Sequence, residues 1–182
     1  MEIRITVFTL VIAVAGITAC SDNSTGPSET ELGQATMTTS GDVEGQKEGM
    51  ADFNSLDLGA LYSWEISIHD FGPQTFSLSF RLLSSDPIER PGPGTYEIGS
   101  GPTDPAVFTA NYSDVEDGIS NATDYSTLFG DYGGSLTITE SNDNQVKGTF
   151  EFNAADFDLE NDQVLGEITV SGEFIANQRI SN

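Results

Sequence analysis

Hydrophobic and polar side chains alternate with a period of two along most of the chain after residue 60. Trp64, Ile66 and Ile68 are separated by polar residues, and similar runs recur at 76–82, 107–112, 136–139, 146–153 and 168–174. Such alternation is typical of β-strands that pack one face against a core and expose the other to water. The pattern therefore predicts an all-β domain.

Turn residues separate these runs and indicate the number of strands. The polar segment 141–144 lies between two alternating runs and predicts a hairpin, while Pro and Gly at 91–94 precede another short strand at 95–98. About eight strands with mostly short connections predict an antiparallel β-sandwich or β-barrel. The acidic segment 113–134 is predicted to be a loop. Two short segments are weak candidates for helices, 48–56 and 154–159.

The first 20 residues follow a different pattern. Arg4 precedes an almost wholly apolar run at residues 5–17, and the chain turns polar directly after Cys20. The run is shorter than the roughly 20 residues that a transmembrane helix needs. Its length instead fits the apolar core of a secretory signal. Cys20 is the only cysteine, so no disulfide within the chain is possible.

The segment Ile17-Thr18-Ala19-Cys20 resembles the lipobox of bacterial lipoproteins, in which an aliphatic residue and two small residues precede a cysteine. The resemblance implies that a diacylglycerol is attached to the Cys20 sulfur and that a peptidase cuts just before Cys20. The alternatives are an ordinary signal peptide with a chance cysteine, or a free buried thiol. The residue after the cysteine is Ser21 rather than Asp, which in Gram-negative lipoproteins resembles the pattern for outer-membrane sorting.

These features predict three segments. Residues 1–19 are a cleaved lipoprotein signal peptide, residues 20–34 are a flexible acylated tether, and residues 35–182 are a single all-β domain. The tether assignment follows from a composition of Ser, Thr, Asp, Gly and Pro, which cannot bury enough apolar surface to offset its ordering entropy. The predicted location is the cell envelope, with the membrane as partner through the lipid anchor.

The C-terminal half contains a second recurring pattern. A G-x-x-x-I-T strand, a polar turn, a G-x-F-x-F-x-A strand and a final G-x-F occur at 134–139, 148–154 and 172–174. In this the chain resembles a set of uncharacterised bacterial lipoproteins with a β-rich domain. The resemblance implies a β fold and transfers no catalytic residue.

Charge narrows the classes of function. The formal charge of −23 argues against nucleic-acid binding, which requires clustered Lys and Arg. We predict no cofactor, although calcium, which takes oxygen ligands from acidic loops, is a weak alternative. The segments that suggest it are 114–118 and 156–162, and neither has the EF-hand spacing.

Catalytic signals are weak. The only histidine, His69, is predicted to lie on a polar strand face, and the acids fall almost entirely on polar faces or in loops. The preferred hypothesis is thus a non-enzymatic lipoprotein whose domain binds a glycan or protein, or is structural. The alternatives are an exported glycan hydrolase with a carboxylate pair and a small lipocalin-like carrier of an apolar ligand. Four aromatic residues near the predicted loop either contact a partner or cap the end of the fold: Tyr112, Tyr125, Phe129 and Tyr132.

Overall fold

The computed structural model describes residues 33–70, 75–101, 107–115 and 122–179. These residues confirm the all-β prediction, with ten strands rather than about eight. No helix among them is long and apolar enough to cross a bilayer. The strands are β1 (Gln34–Gly41), β2 (Gly45–Asp57), β3 (Tyr62–His69), β4 (Phe76–Ser84), β5 (Gly94–Ile98), β6 (Val107–Val115), β7 (Ala122–Ser126), β8 (Gly133–Ser141), β9 (Gln145–Asp158) and β10 (Gln163–Gln178).

The ten strands form one sheet that closes on itself. Hydrogen-bonded neighbours lead from β1 through β2, β3, β4, β6, β5, β8, β9 and β10 back to β1. Strand β7 pairs with both β6 and β9. At one end of the ring, therefore, β7 alone lies between β6 and β9, where β5 and β8 lie between them elsewhere. Most neighbours are antiparallel, but β5–β6 and β2–β10 are parallel over short stretches. The pairing matches the barrel alternative, in a mixed rather than purely antiparallel sheet.

The barrel has two ends, which we call proximal and distal. Strand β1 begins on the proximal side, where the β2–β3 turn (58–61), the β4–β5 connection (85–93) and the β8–β9 turn (142–144) also lie. The β1–β2 turn (42–44) and the β9–β10 turn (159–162) lie at the distal end. Strand β1 starts at Gln34, one residue before the predicted start of the domain.

Aromatic side chains fill the interior. The ring of Phe80 lies 4.9 Å from that of Phe150 and 5.7 Å from that of Phe152, measured between centroids. All three rings are buried, as are Phe76 and the hydrophobic residues of the alternating runs. The residues that alternation assigned to the core are therefore the ones that form it.

Reciprocal contacts between phenylalanine and glycine join β9 to β10. Phe150 lies opposite Gly172, and Phe174 lies opposite Gly148. A Cβ atom at Gly172 would lie 2.7 Å from Cζ of Phe150, and one at Gly148 would lie 3.0 Å from the Phe174 ring. The two rings are 6.4 Å apart and nearly parallel. The recurring G-x-F patterns thus mark a register in which each ring covers the glycine of the opposite strand.

Three predictions of local structure were wrong. Residues 48–56 belong to strand β2, where the inward positions include Lys47, Gly49 and Ala51. Because these residues are charged or small, β2 lacks the hydrophobic alternation of the other strands. Residues 154–158 continue β9, where the adjacent Ala154 and Ala155 are both buried and break the period of two.

The third error concerns the predicted loop at 113–134. Strand β6 continues to Val115, and the loop region also contains β7 and the start of β8. Strand β7 has five residues, of which only Tyr125 is buried. A strand with a single buried residue has no periodicity to detect.

We predict that Gly172→Ala destabilises the fold by about 1–3 kcal/mol, because the added methyl group overlaps the Phe150 ring and the backbone oxygen of Thr36. Urea unfolding monitored by circular dichroism measures the change. The control is Gly92→Ala, since a Cβ at Gly92 meets no other atom within 4 Å. Equal stability of the two variants would contradict the proposed Phe–Gly packing.

Candidate functional site: the two ends of the barrel

The predicted lipidation site lies outside the described part of the chain. Cys20, the predicted signal peptide and the predicted tether up to residue 32 precede the first described residue, Gly33. The described residues instead present two groups of polar or exposed side chains, one at each end of the barrel. The distal group faces the interior, whereas the proximal group faces outward.

An ion pair spans the interior near the distal end. Lys47 of β2 lies with Nζ 3.1 Å from Oδ1 of Asp114 on β6, and both side chains are largely buried, at 23% and 16% exposed. The hydroxyl of Tyr112 donates a hydrogen bond to the same oxygen at 3.0 Å. One carboxylate oxygen therefore accepts from both an ammonium and a phenol.

The surroundings of this cluster are aromatic. Nζ of Lys47 lies 5.9 Å from the centroid of the Phe76 ring, and that ring stacks on Tyr112 at 6.5 Å. Burial, together with the charge and hydrogen bond of Asp114, raises the pKa of Tyr112 above its usual range, so its hydroxyl stays protonated. The cluster therefore closes this part of the interior with satisfied polar groups.

This cluster was not predicted from the sequence. The acids were expected on polar faces or in loops, whereas Asp114 occupies an inward position two residues after the buried Tyr112. The sequence did contain a signal for the position of Asp114. If the alternation of β6 is extended by one step beyond Tyr112, Asp114 is predicted to face inward. Its partner was not evident, since Lys47 lies 67 residues earlier on a strand without visible alternation.

Neither acidic segment that suggested calcium forms a cluster of possible ligands within the described residues. Asp114 is paired with Lys47, and residues 116–118 lie outside the described ranges. In the other segment, Asp158 accepts hydrogen bonds from the backbone of Glu160 and from the backbone and side chain of Asn161. These bonds lower the pKa of Asp158, with the Asn161 amide as the largest cause. Asp158 thus stabilises its own turn.

The four candidate aromatic residues separate into two groups. Tyr112 and Tyr125 are buried and lie 6.3 Å apart, measured between ring centroids. Phe129 stacks on Phe157 at 5.6 Å, and the hydroxyl of Tyr132 donates to Glu167. All four contact the domain itself at its distal end, as the capping interpretation expects.

His69 lies on β3 opposite Met50 and Ser77 and is half-buried. Acids lie around this end in the β1–β2 turn, in the β9–β10 turn and in the segment before β8, so the distal surface is strongly acidic. The acids of these turns and of the adjacent strand ends are Asp42, Glu44, Asp131, Asp156, Asp158, Glu160, Asp162 and Glu167.

The proximal end has a different chemistry. The β2–β3 turn reads Leu-Gly-Ala-Leu at 58–61, and Leu56 and Leu58 are 43% and 58% exposed. Beside it, a cleft is lined in part by Trp64, Arg90 and Arg179. Hairpin turns are ordinarily polar, so an apolar turn next to two arginines is the most unusual surface feature of this end.

Both arginines are paired with carboxylates. Arg90 lies 2.7 Å from Asp143, which is 89% exposed, and Arg179 lies 2.6 Å from Asp52. The Arg90–Asp143 pair is weak because its carboxylate is so exposed, so the Arg90 guanidinium can exchange this partner for another anion. The Arg179 side chain is 44% exposed, but its partner Asp52 is only 22% exposed, so this pair is held more firmly. The indole N–H of Trp64 is buried and has no acceptor among the described residues.

The model of one protein family, the domain of unknown function DUF6252, matches residues 87–178. The chain belongs to the DUF6252 family. No curated protein and no solved structure matches the chain. The match to DUF6252 runs from the β4–β5 connection to the end of β10, so it includes both Phe–Gly pairs, Asp114 and Arg90. Strands β1 to β4, with Lys47 and the apolar turn, precede it.

We predict that Lys47→Met costs about 1–2 kcal/mol more stability than Lys147→Met, since it leaves the carboxylate of Asp114 inside the barrel without a cation. The matched control, Lys147, pairs with Glu140 at 2.9 Å on the surface, where both side chains are at least 37% exposed. Urea unfolding followed by Trp64 fluorescence compares the variants. Equally small losses would show that the interior pair contributes nothing specific.

Proposed function

We propose that this DUF6252 protein is anchored in the cell envelope by lipid on Cys20 and that its barrel acts without catalysis, as a binding or structural module. The observation that carries the anchor is the sequence Ile17-Thr18-Ala19-Cys20 at the end of an apolar run of signal-peptide length. Each buried methylene of an acyl chain contributes about 0.8 kcal/mol, so two or three chains hold a protein stably on a bilayer.

The barrel is compatible with such an anchor. Strand β1 starts at Gln34, so 13 residues, 21–33, lie between the acylated cysteine and the first strand. Fully extended, a segment of that length spans at most about 45 Å. The domain therefore stays close to the membrane while remaining outside it.

The interior favours a binding or structural role over the two alternatives. Phe80, Phe150 and Phe152 are buried and pack on one another in the middle of the barrel, and Phe76 is buried nearer the distal end. This packing argues against an apolar ligand in the interior. The inward carboxylate, Asp114, has a lysine and a tyrosine as partners. A glycosidase would require a second carboxylate there, with one of the two held protonated.

We expect the mature protein extracted from membranes to begin at Cys20 and to carry the added mass of a diacylglycerol, because the thiolate is the nucleophile that accepts it. Cys20→Ser should carry no acyl mass. Thr18→Ser, which keeps a small residue in the lipobox, is the matched control and should behave as the parent. Intact-mass spectrometry of the three proteins makes the comparison.

Two results would contradict the anchor. One is a parent protein whose first residue is not Cys20 or that carries no acyl mass. The other is a Cys20→Ser variant with the same mass addition as the parent, which would place the modification elsewhere.

A further inference from the structure

We infer that the proximal end of the barrel docks on the bilayer surface, with the apolar turn at 58–61 inserted at the interface and Arg90 and Arg179 facing lipid phosphates. This inference rests on the proposed lipid anchor and adds an orientation to it. The partner is the phosphate-bearing headgroup region of the membrane in which the protein is anchored. Three observations support it.

The first observation is the position of the tether. Strand β1 begins beside β2 at the level of Gly49, and Gly33, which precedes it, lies against the backbone of Ala51. One residue further along β2, strand β10 takes over the pairing, at Asp52 and Phe53. From there β2 continues toward the turn at 58–61 for about 20 Å along the strand, at roughly 3.3 Å per residue. The 13 residues from 21 to 33 are long enough to pass this turn and reach the bilayer.

The second observation is the composition of the turn. Leu58, Gly59, Ala60 and Leu61 form the whole connection, and the side chain of Leu56 adds to its exposed surface. The half-buried Tyr62 follows, a residue type favoured at the membrane–water interface. The backbone N–H of Gly59 donates a hydrogen bond to Oδ1 of Asp57 at 2.8 Å, so this carboxylate stays close to the backbone of the turn. Apolar side chains of this kind enter the boundary between headgroups and acyl chains.

The third observation is the distribution of charge. Three of the five described basic side chains, Arg90, Lys147 and Arg179, lie toward the proximal end, although the chain as a whole is strongly acidic. The distal end has exposed leucines too, Leu159 and Leu165, but acids at 158, 160 and 162 surround them. The proximal end also has acids, three of which pair with these basic side chains: Asp52, Asp57, Asp86, Glu89, Glu140 and Asp143. Because the distal acids are more numerous and mostly lack a cation, a bilayer bearing negative charge repels the distal end more strongly than the proximal end.

The two turns give a matched test with an environment-sensitive label. Because acylated Cys20 has no free thiol, Ala60→Cys introduces a unique labelling site on the proximal turn, and Asn161→Cys does so on the distal turn. The full acylated protein is labelled with the fluorophore NBD and reconstituted in phosphatidylcholine vesicles, with and without phosphatidylglycerol. We expect blue-shifted emission at position 60, quenched by spin-labelled lipid, and water-like emission at position 161.

Second substitutions in the Ala60→Cys background test the contacts. Leu56→Ser with Leu58→Ser should abolish the blue shift, and Arg90→Gln with Arg179→Gln should reduce it. Leu159→Ser with Leu165→Ser should leave it unchanged. Circular dichroism of each variant confirms that the barrel is folded, and all substituted side chains are at the surface, so folding is expected to persist.

The outcomes separate docking from anchoring. Water-like emission at position 60 in a protein that carries acyl mass at Cys20 overturns docking and leaves the anchor in place. A blue shift of equal size without vesicles indicates contact with a second copy and overturns docking on lipid. A protein without acyl mass at Cys20 overturns both.

Discussion

The pairing of β9 with β10 is the constraint on which the rest of the barrel depends. Phe150 and Phe174 each cover a glycine of the opposite strand, and one residue of slip would place both rings outside the core. Glycine alone weakens a strand, but a ring packed across it restores buried apolar contact. Strand β10 then holds β1 along its full length and β2 at its end, which closes the ring.

Because the sheet closes into a ring, the barrel has two ends, and these ends differ in the side chains that they contain. At the distal end, β7 bridges β6 and β9, and the interior is closed by the Lys47–Asp114–Tyr112 cluster. At the proximal end, aromatic packing reaches the rim, where Trp64 contacts Phe53 and Phe108 at centroid distances of 5.9 and 6.0 Å. The two ends of the barrel thus differ, one polar and one apolar, and strand β1 begins on the apolar side.

Hydrophobic alternation was sufficient for the strands whose inward residues are large. Strands β3, β4, β6, β8, β9 and β10 were all visible in the sequence because residues such as Trp64, Phe80 and Phe152 stand out against polar neighbours. Strand β2 was missed since Lys47, Gly49 and Ala51 face inward. At Gly49 the ring of Phe76 supplies the volume, since a Cβ there would lie 3.0 Å from its Cζ, and Lys47 faces inward because it pairs with Asp114.

Contacts between residues that are far apart in the sequence could not be predicted from a local hydrophobic pattern. The Lys47–Asp114 pair joins positions 67 residues apart, and the contact between β2 and β10 joins the first part of the domain to the last. Local periodicity reports which face of a strand is buried but not which strand lies beside it. The G-x-F repeats lie at positions that set the register of β9 against β10, although from the sequence they indicated only a β fold.

The most direct test of the Phe–Gly constraint is a nuclear Overhauser measurement on the folded protein with isotope-labelled phenylalanine and glycine. The ring protons of Phe150 should show cross-peaks to the Hα protons of Gly172, and those of Phe174 to the Hα protons of Gly148, with upfield-shifted glycine signals. Cross-peaks from Phe150 to residue 171 or 173 instead would establish a different register and contradict the account.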